Sequence, residues 1–222
     1  MSLLSKKVAQ GRATRDDLLA AAHAEFGSRG YAETSLEDIV RRAKVTKGAF
    51  YHHFSGKEDL FLQVFENVKK ELSRAAFVVH VDHKPFAPPE DQQRHFGRFV
   101  EQTNDEIWAQ LLERCRRYVE LHLDPQIQRI VLVDARSVLH WKDLQRIEEE
   151  HGITLLRADF RRAMRRGILK RLPLRMLAVI FSGALNEVCM AVADAAAPEE
   201  ALDDAMTVIR ELLEGLRVTP VA

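Results

Sequence analysis

Cysteine is scarce in this chain. Cys115 and Cys189 are the two it has, they lie far apart in apolar surroundings, and they match neither a metal-ligand spacing nor a disulfide framework. A reduced, cytoplasmic protein is the expectation that follows. Net charge is missing as well: 33 Lys and Arg balance 33 Asp and Glu. The bulk composition therefore lacks the basic excess that marks many nucleic-acid binders, and any such site must be local. No apolar stretch approaches the roughly 18 residues that a bilayer span needs, because Glu187 and Asp194 interrupt the best candidate, and the N-terminus lacks an apolar signal-peptide core. No membrane partner is expected. Strand-type alternation, internal repeats and low-complexity runs are absent too. No convergent set of acid, base and nucleophile appears, so neither an enzyme nor a cofactor is expected. His80 and His83 flank Asp82 in a loop with no third cluster beside them, which leaves no metal site to expect.

What the sequence does have is helical periodicity throughout. Leu18, Leu19, Ala22 and Phe26 form one stripe, ended by Gly27 or Gly30, and predict a first helix over about 13 to 29. Leu36, Ile39, Val40 and Ala43 repeat at i, i+3, i+4, i+7 behind Thr34 or Ser35 as N-cap, with Glu37 and Asp38 in the first turn. A tight Ala43-Lys44-Val45 connection leads to a third helix capped by Thr46 and ending near Phe54. Ser55-Gly56 breaks it, and Lys57 opens a fourth helix to about Ala76. Pro85, Pro88 and Pro89 make His80 to Pro89 a loop. Helices are expected beyond it at about 91 to 122, 125 to 139, 141 to 166, 174 to 195 and 199 to 217. The fold class is all-α.

The third helix carries the chemistry. Val45, Phe50 and Phe54 can face inward, while Lys47, Gly48, Tyr51 and His52 share the opposite face. That face combines a missing side chain where backbone meets DNA with hydroxyls and amines for phosphates, which is what a helix in the major groove needs. Lys6, Lys7, Arg12 and Arg15 all precede the first acidic residue, Asp16, so residues 1–12 read as a basic arm suited to phosphate contacts.

Thr34-Ser35-Leu36-Glu37-Asp38-Ile39, then Ala43-Lys44-Val45-Thr46-Lys47-Gly48-Ala49-Phe50-Tyr51-His52-His53-Phe54, then Lys57-Glu58-Asp59-Leu60, resembles the DNA-binding signature of the TetR family of transcriptional regulators. The likeness covers about residues 13 to 65. One departure is Lys44, which stands where the family usually has a glycine, at some cost if φ is positive there. The resemblance implies a three-helix helix-turn-helix domain over 1–56 and a helical effector-binding and dimerisation domain over 57–222. It also implies a repressor of a roughly palindromic double-stranded DNA operator, released by a small-molecule effector. By similarity, Thr34 or Ser35 meets phosphates at the start of the second helix. Thr46, Lys47, Gly48 and His52 approach bases or backbone, and Tyr51 and Lys57 hold phosphates.

For the effector, periodicity nominates Trp108, Leu111, Leu112, Cys115, Tyr118 and His122 on the helix at 91 to 122, with Asp134, Val138 and Phe160 from the helices after it. Asp134 stands out as a carboxylate within an apolar stretch, which needs a partner if buried; Arg136 and Arg157 are candidates. Residues Leu174 to Val192 are apolar around most of the circumference, and Leu202, Met206, Ile209, Leu213 and Leu216 form a further stripe. The helices at about 174–195 and 199–217 therefore predict a homodimer built on a four-helix interface.

Overall fold

The helices expected from apolar periodicity form, and in a computed structural model the backbone is described over residues 3–77 and 102–218, the side chains over 8–76 and 102–218. The loop at His80 to Pro89, with His80, Asp82 and His83, lies outside the described residues, as does the first part of the helix expected at 91 to 122. Helix α1 (Leu3–Arg29) is followed by α2 (Leu36–Arg42), α3 (Lys47–His53) and α4 (Lys57–Phe77). The basic arm expected at 1–12 is thus corrected: from Leu3 onward it is the start of α1, because no proline or glycine pair breaks the backbone before Thr14.

After the gap come α5 (Asn104–Leu121) and α6 (Pro125–Ile127), the latter running through a π-helical stretch (Gln128–Asp134) into α7 (Ala135–Val138). The wider turn shows in the Ala135 N–H, which donates to the carbonyl of Ile130, five residues back. Helix α8 (Trp141–Glu148) likewise passes through a π-helical stretch (Glu149–Ile153) into α9 (Thr154–Arg165), and α10 (Leu174–Ala193) and α11 (Pro198–Glu214) complete the chain. Among the described residues the nearest thing to a strand is an isolated antiparallel bridge between Leu169 and Arg217.

Two compact bodies result, one from residues 1–70 and 122–150, the other from 71–121 and 151–222. The boundary expected at 56/57 does not coincide with this division. Phe61 of α4 packs edge-on against Phe26 of α1, ring centroids 5.1 Å apart, and Leu60, Val64 and Phe65 are buried with them. Full burial of each such side chain contributes about 1.5–3 kcal/mol, which draws the first turns of α4 into the head. The segment 122–150 joins the same body through α1: a Cβ at Gly27 would lie 2.7 Å from Gln126, and one at Gly30 2.4 Å from the Arg129 guanidinium. Gly30 also ends α1 at φ 84°, the left-handed region in which glycine is the easy choice.

In the second body α10 packs on α9, α5 and α11, burying Leu177, Ala178, Phe181, Leu185, Cys189 and Val192. By length and composition α10 is apolar enough to cross a membrane, which corrects the expectation that no stretch approaches that. Asp194 lies beyond the helix end, so Glu187 is the lone acid inside it. One side of α10 packs among helices of its own body, and the other side, with Met176, Val179, Ile180 and Met190, is exposed.

Candidate nucleic-acid interface and effector cavity

The turn between α2 and α3 sets the interface. Ser35 caps α2: its hydroxyl accepts from the Asp38 N–H at 3.1 Å and donates to the Asp38 carboxylate at 2.7 Å, while that carboxylate accepts from the Ser35 N–H at 3.3 Å. Hydrogen bonds from Ser35 and Arg41 hold the Asp38 carboxyl down to about 2. Thr46 caps α3 by accepting from the Ala49 N–H at 3.1 Å. Between the two helices Lys44 sits at φ 56°, the sole non-glycine residue with positive φ among those described. It occupies the family's glycine position in a left-handed turn.

Beneath this turn Phe50 and Phe54 are buried, as expected. Lys47, Gly48, Tyr51 and His52 are exposed together on the outer face of α3, with Thr46 beside them at its start. A Cβ added at Gly48 would meet nothing nearer than the Thr46 hydroxyl at 3.8 Å. Nothing inside the protein therefore requires glycine at this position.

Two of the expected phosphate contacts read differently in three dimensions. Thr34 is buried, and its hydroxyl donates to the carbonyls of Gly30 (2.7 Å) and Glu25 (3.2 Å), so its side chain fastens the α1–α2 connection and is not available to a phosphate. The Ser35 hydroxyl proton is already committed to Asp38. Lys57 donates to the carbonyls of Tyr31 (2.9 Å) and Thr34 (3.0 Å) with its ammonium 4.1 Å from the Tyr31 ring centroid, a clasp on the same connection.

The effector residues divide. A cavity of about 50 Å³ lies in the second body between the last turns of α4, α5, α9 and α10, and its walls include Cys115 and Tyr118 from the expected set. Sequence reasoning did not nominate most of the rest of its lining: Ser73, Ala76, Arg114, His151, Gly152, Leu156, Asp159, Ser182 and Leu185. Trp108, Leu111, Leu112 and Phe160 are buried in the same body but do not line the cavity. The Arg217 guanidinium lies 4.8 Å from the Trp108 ring, and Phe160 packs edge-on against Phe181. His122, Asp134 and Val138 belong to the other body and are corrected. Asp134 accepts from the Tyr31 N–H at 2.7 Å and pairs with Arg129 at 3.6 Å, so its partner is neither Arg136 nor Arg157 but the end of α1 and its own helix.

The cavity wall is mainly apolar; its polar groups are a half-buried ion pair between Arg114 and Asp159, the Tyr118 hydroxyl, which donates to the Asn186 side-chain Oδ1 at 2.7 Å, and the side chains of Ser73, His151 and Ser182. Burial pushes the Asp159 carboxyl up against the pull of Arg114, and pushes the Cys115 thiol up to about 12, which leaves it an unreactive thiol. Asp159 had a signal in the sequence: it is the single acid in the basic run from Arg157 to Arg166.

A capped turn that presents an exposed, small-residue helix face on an all-α body defines a helix-turn-helix regulator. Comparison with known proteins agrees: "Bacterial regulatory proteins, tetR family" matches residues 18–64, and "Tetracyclin repressor-like, C-terminal domain" matches 108–216. A TetR-family transcriptional regulator from Pectobacterium atrosepticum superposes with a TM-score of 0.71 at 30% identity, covering 96% of this chain and 98% of that one. The chain belongs to the TetR family. Among curated relatives, the probable acrEF/envCD operon repressor of Escherichia coli K12 is 35% identical over 80 residues, 35% of this chain. The HTH-type transcriptional repressor NicS of Pseudomonas putida is 31% identical over 91 residues, 41% of this chain and 42% of the relative. The match spans 36% of the first of these relatives' length.

Proposed function

We propose that this chain is a repressor that binds a roughly palindromic DNA operator as a homodimer, through the outer face of α3, and leaves it when a small molecule enters the cavity of the second body. The observation that carries the DNA half is Gly48. It is exposed, next to Lys47 and one turn from His52, and has open space around its missing Cβ. Inside a helix glycine costs about 0.5–1 kcal/mol relative to alanine, and nothing in the fold calls for glycine at this position. A surface that must come within reach of a DNA backbone does call for it.

Gly48→Ala is therefore expected to leave thermal stability unchanged or slightly raised and to weaken binding to the DNA upstream of its own gene, read by fluorescence anisotropy. Unaltered affinity would remove the argument for α3 as the groove-entering element.

The dimer reading rests on the apolar surface of the second body. Met176, Val179, Ile180 and Met190 of α10 are exposed together with Gly183 and Ala184, and Val208 and Leu212 of α11 are exposed beside them. Two such helix pairs would cover one another as a self-complementary four-helix interface. The release half rests on α4, a single helix whose first residue, Lys57, clasps the head while its last turns place Ser73 and Ala76 on the cavity wall. A ligand that moves that end of the helix alters the head spacing of the dimer, which is a coupling between two sites.

A further inference from the structure

The cations of α2, α3 and their turn are almost all neutralised within the head. Arg41 pairs with Asp38, and Arg29 lies 3.2 Å from the same carboxylate. Arg42 meets Glu25 at 2.7 Å. Lys47, on the outer face of α3, is hydrogen-bonded to Glu37 in the first turn of α2. Lys44 is the one cation of this segment with no acidic partner among the described residues. The Glu37–Lys47 pair differs from the others in standing on the reading face itself, with more than half of each side chain exposed. The pairing holds the Glu37 carboxyl below and the Lys47 ammonium above their ordinary ranges. An exposed pair of this kind adds little to folding stability, so its consequence lies in what Lys47 can do.

We propose that Glu37 is a specificity-determining residue: it occupies the Lys47 ammonium in the free protein and thereby suppresses sequence-independent binding to DNA phosphates. The proposal rests on the DNA-binding reading above. Non-specific affinity comes almost entirely from cations neutralising phosphates and releasing counterions. A lysine whose charge is already met by a carboxylate contributes little to that sum, because a phosphate must first displace Glu37 and is repelled by it. Correct docking of α3 in the groove supplies other contacts that offset this displacement, and a random duplex does not. A head built this way gives up raw affinity for a larger gap between its operator and the excess of other DNA.

The test uses the full chain and a random-sequence duplex of about two helical turns, with anisotropy measured across a salt series. Glu37→Gln is expected to bind that duplex roughly three- to tenfold tighter at about 0.1 M salt, with the salt dependence steeper by about one ion. The same change in a Lys47→Gln background is expected to give no gain, since the two residues act as a pair. Glu33→Gln, which removes the same charge from an exposed site elsewhere on the head, is expected to give less than half of the effect. Unchanged random-duplex binding by Glu37→Gln would overturn the proposal, as would an equal gain without Lys47 or an equal gain from Glu33→Gln. A loss confined to one operator base pair would overturn it too, by making Glu37 a base reader. If the unsubstituted chain binds no duplex at any salt, the DNA-binding reading itself fails, a different outcome from any of these.

Discussion

At position 44 a lysine holds a backbone conformation that L-residues adopt at a cost. With φ at 56° and the N–H donating to the Arg41 carbonyl at 3.2 Å, the turn is fixed from both sides, so the side chain must tolerate the left-handed region. Lys44→Gly relieves that cost, of about 1–2 kcal/mol, and returns part of it as chain entropy in the unfolded state. Stability is expected to rise by about 0.5–1 kcal/mol in urea unfolding; a loss of stability would show that Lys44 is held by contacts the turn needs. The departure from the family glycine was legible in the sequence, and so was its condition, a positive φ. Thr34 was not. A threonine before a helix reads as cap or phosphate ligand, and the three-dimensional closeness of the Gly30 and Glu25 carbonyls decides that its hydroxyl turns inward. Asp134 lay between the two cases: the sequence demanded a partner for it, yet could not supply a backbone N–H from Tyr31, more than a hundred positions away.

At the scale of elements, apolar spacing located the helices because each buries one stripe, and it met α2 at its Ser35 cap and α1 at its Arg29 end, though not at the start of α1. The π-helical stretches at Gln128–Asp134 and Glu149–Ile153 were not legible, since no residue type marks the extra residue that a wider turn takes in. The arm at 1–12 was misread for the opposite reason: its polar residues carry no apolar repeat, and the helix there continues from α1. In α10 the sequence showed apolar residues all round, and the structure separates them into a buried side and an exposed one centred on Ile180, 65% exposed. Ile180→Arg is expected to convert a dimer into a monomer at micromolar concentration, seen as a halved mass by light scattering after size exclusion, with the far-ultraviolet circular dichroism kept. A dimer that survives the charge would place the interface elsewhere.

For the whole molecule, the head was the legible part because its chemistry is local: a cap, a turn and one face of a seven-residue helix lie within Ser35 to Phe54. The cavity was not, because its wall is gathered from four helices far apart in sequence, and the apolar stripe of α5 has two flanks that periodicity cannot tell apart. Arg114, Cys115 and Tyr118 lie on the flank that faces the cavity, whereas Trp108, Leu111 and Leu112 fill the packing beside it. Charge followed the same division. Overall composition was neutral and the head only slightly basic, and nearly every cation of α2 and α3 is paired with a carboxylate of the head itself. Affinity for DNA must then come from shape and specific contact more than from net charge.

Anisotropy of the purified chain against short duplexes tiled across the DNA upstream of its own gene tests that account most directly. One duplex holding an inverted repeat, with half-site centres about 34 Å apart or a multiple of it, is expected to bind near nanomolar concentration and at least about a thousandfold more tightly than random-sequence DNA. Equal, weak binding to every duplex, removed uniformly by salt, would contradict it.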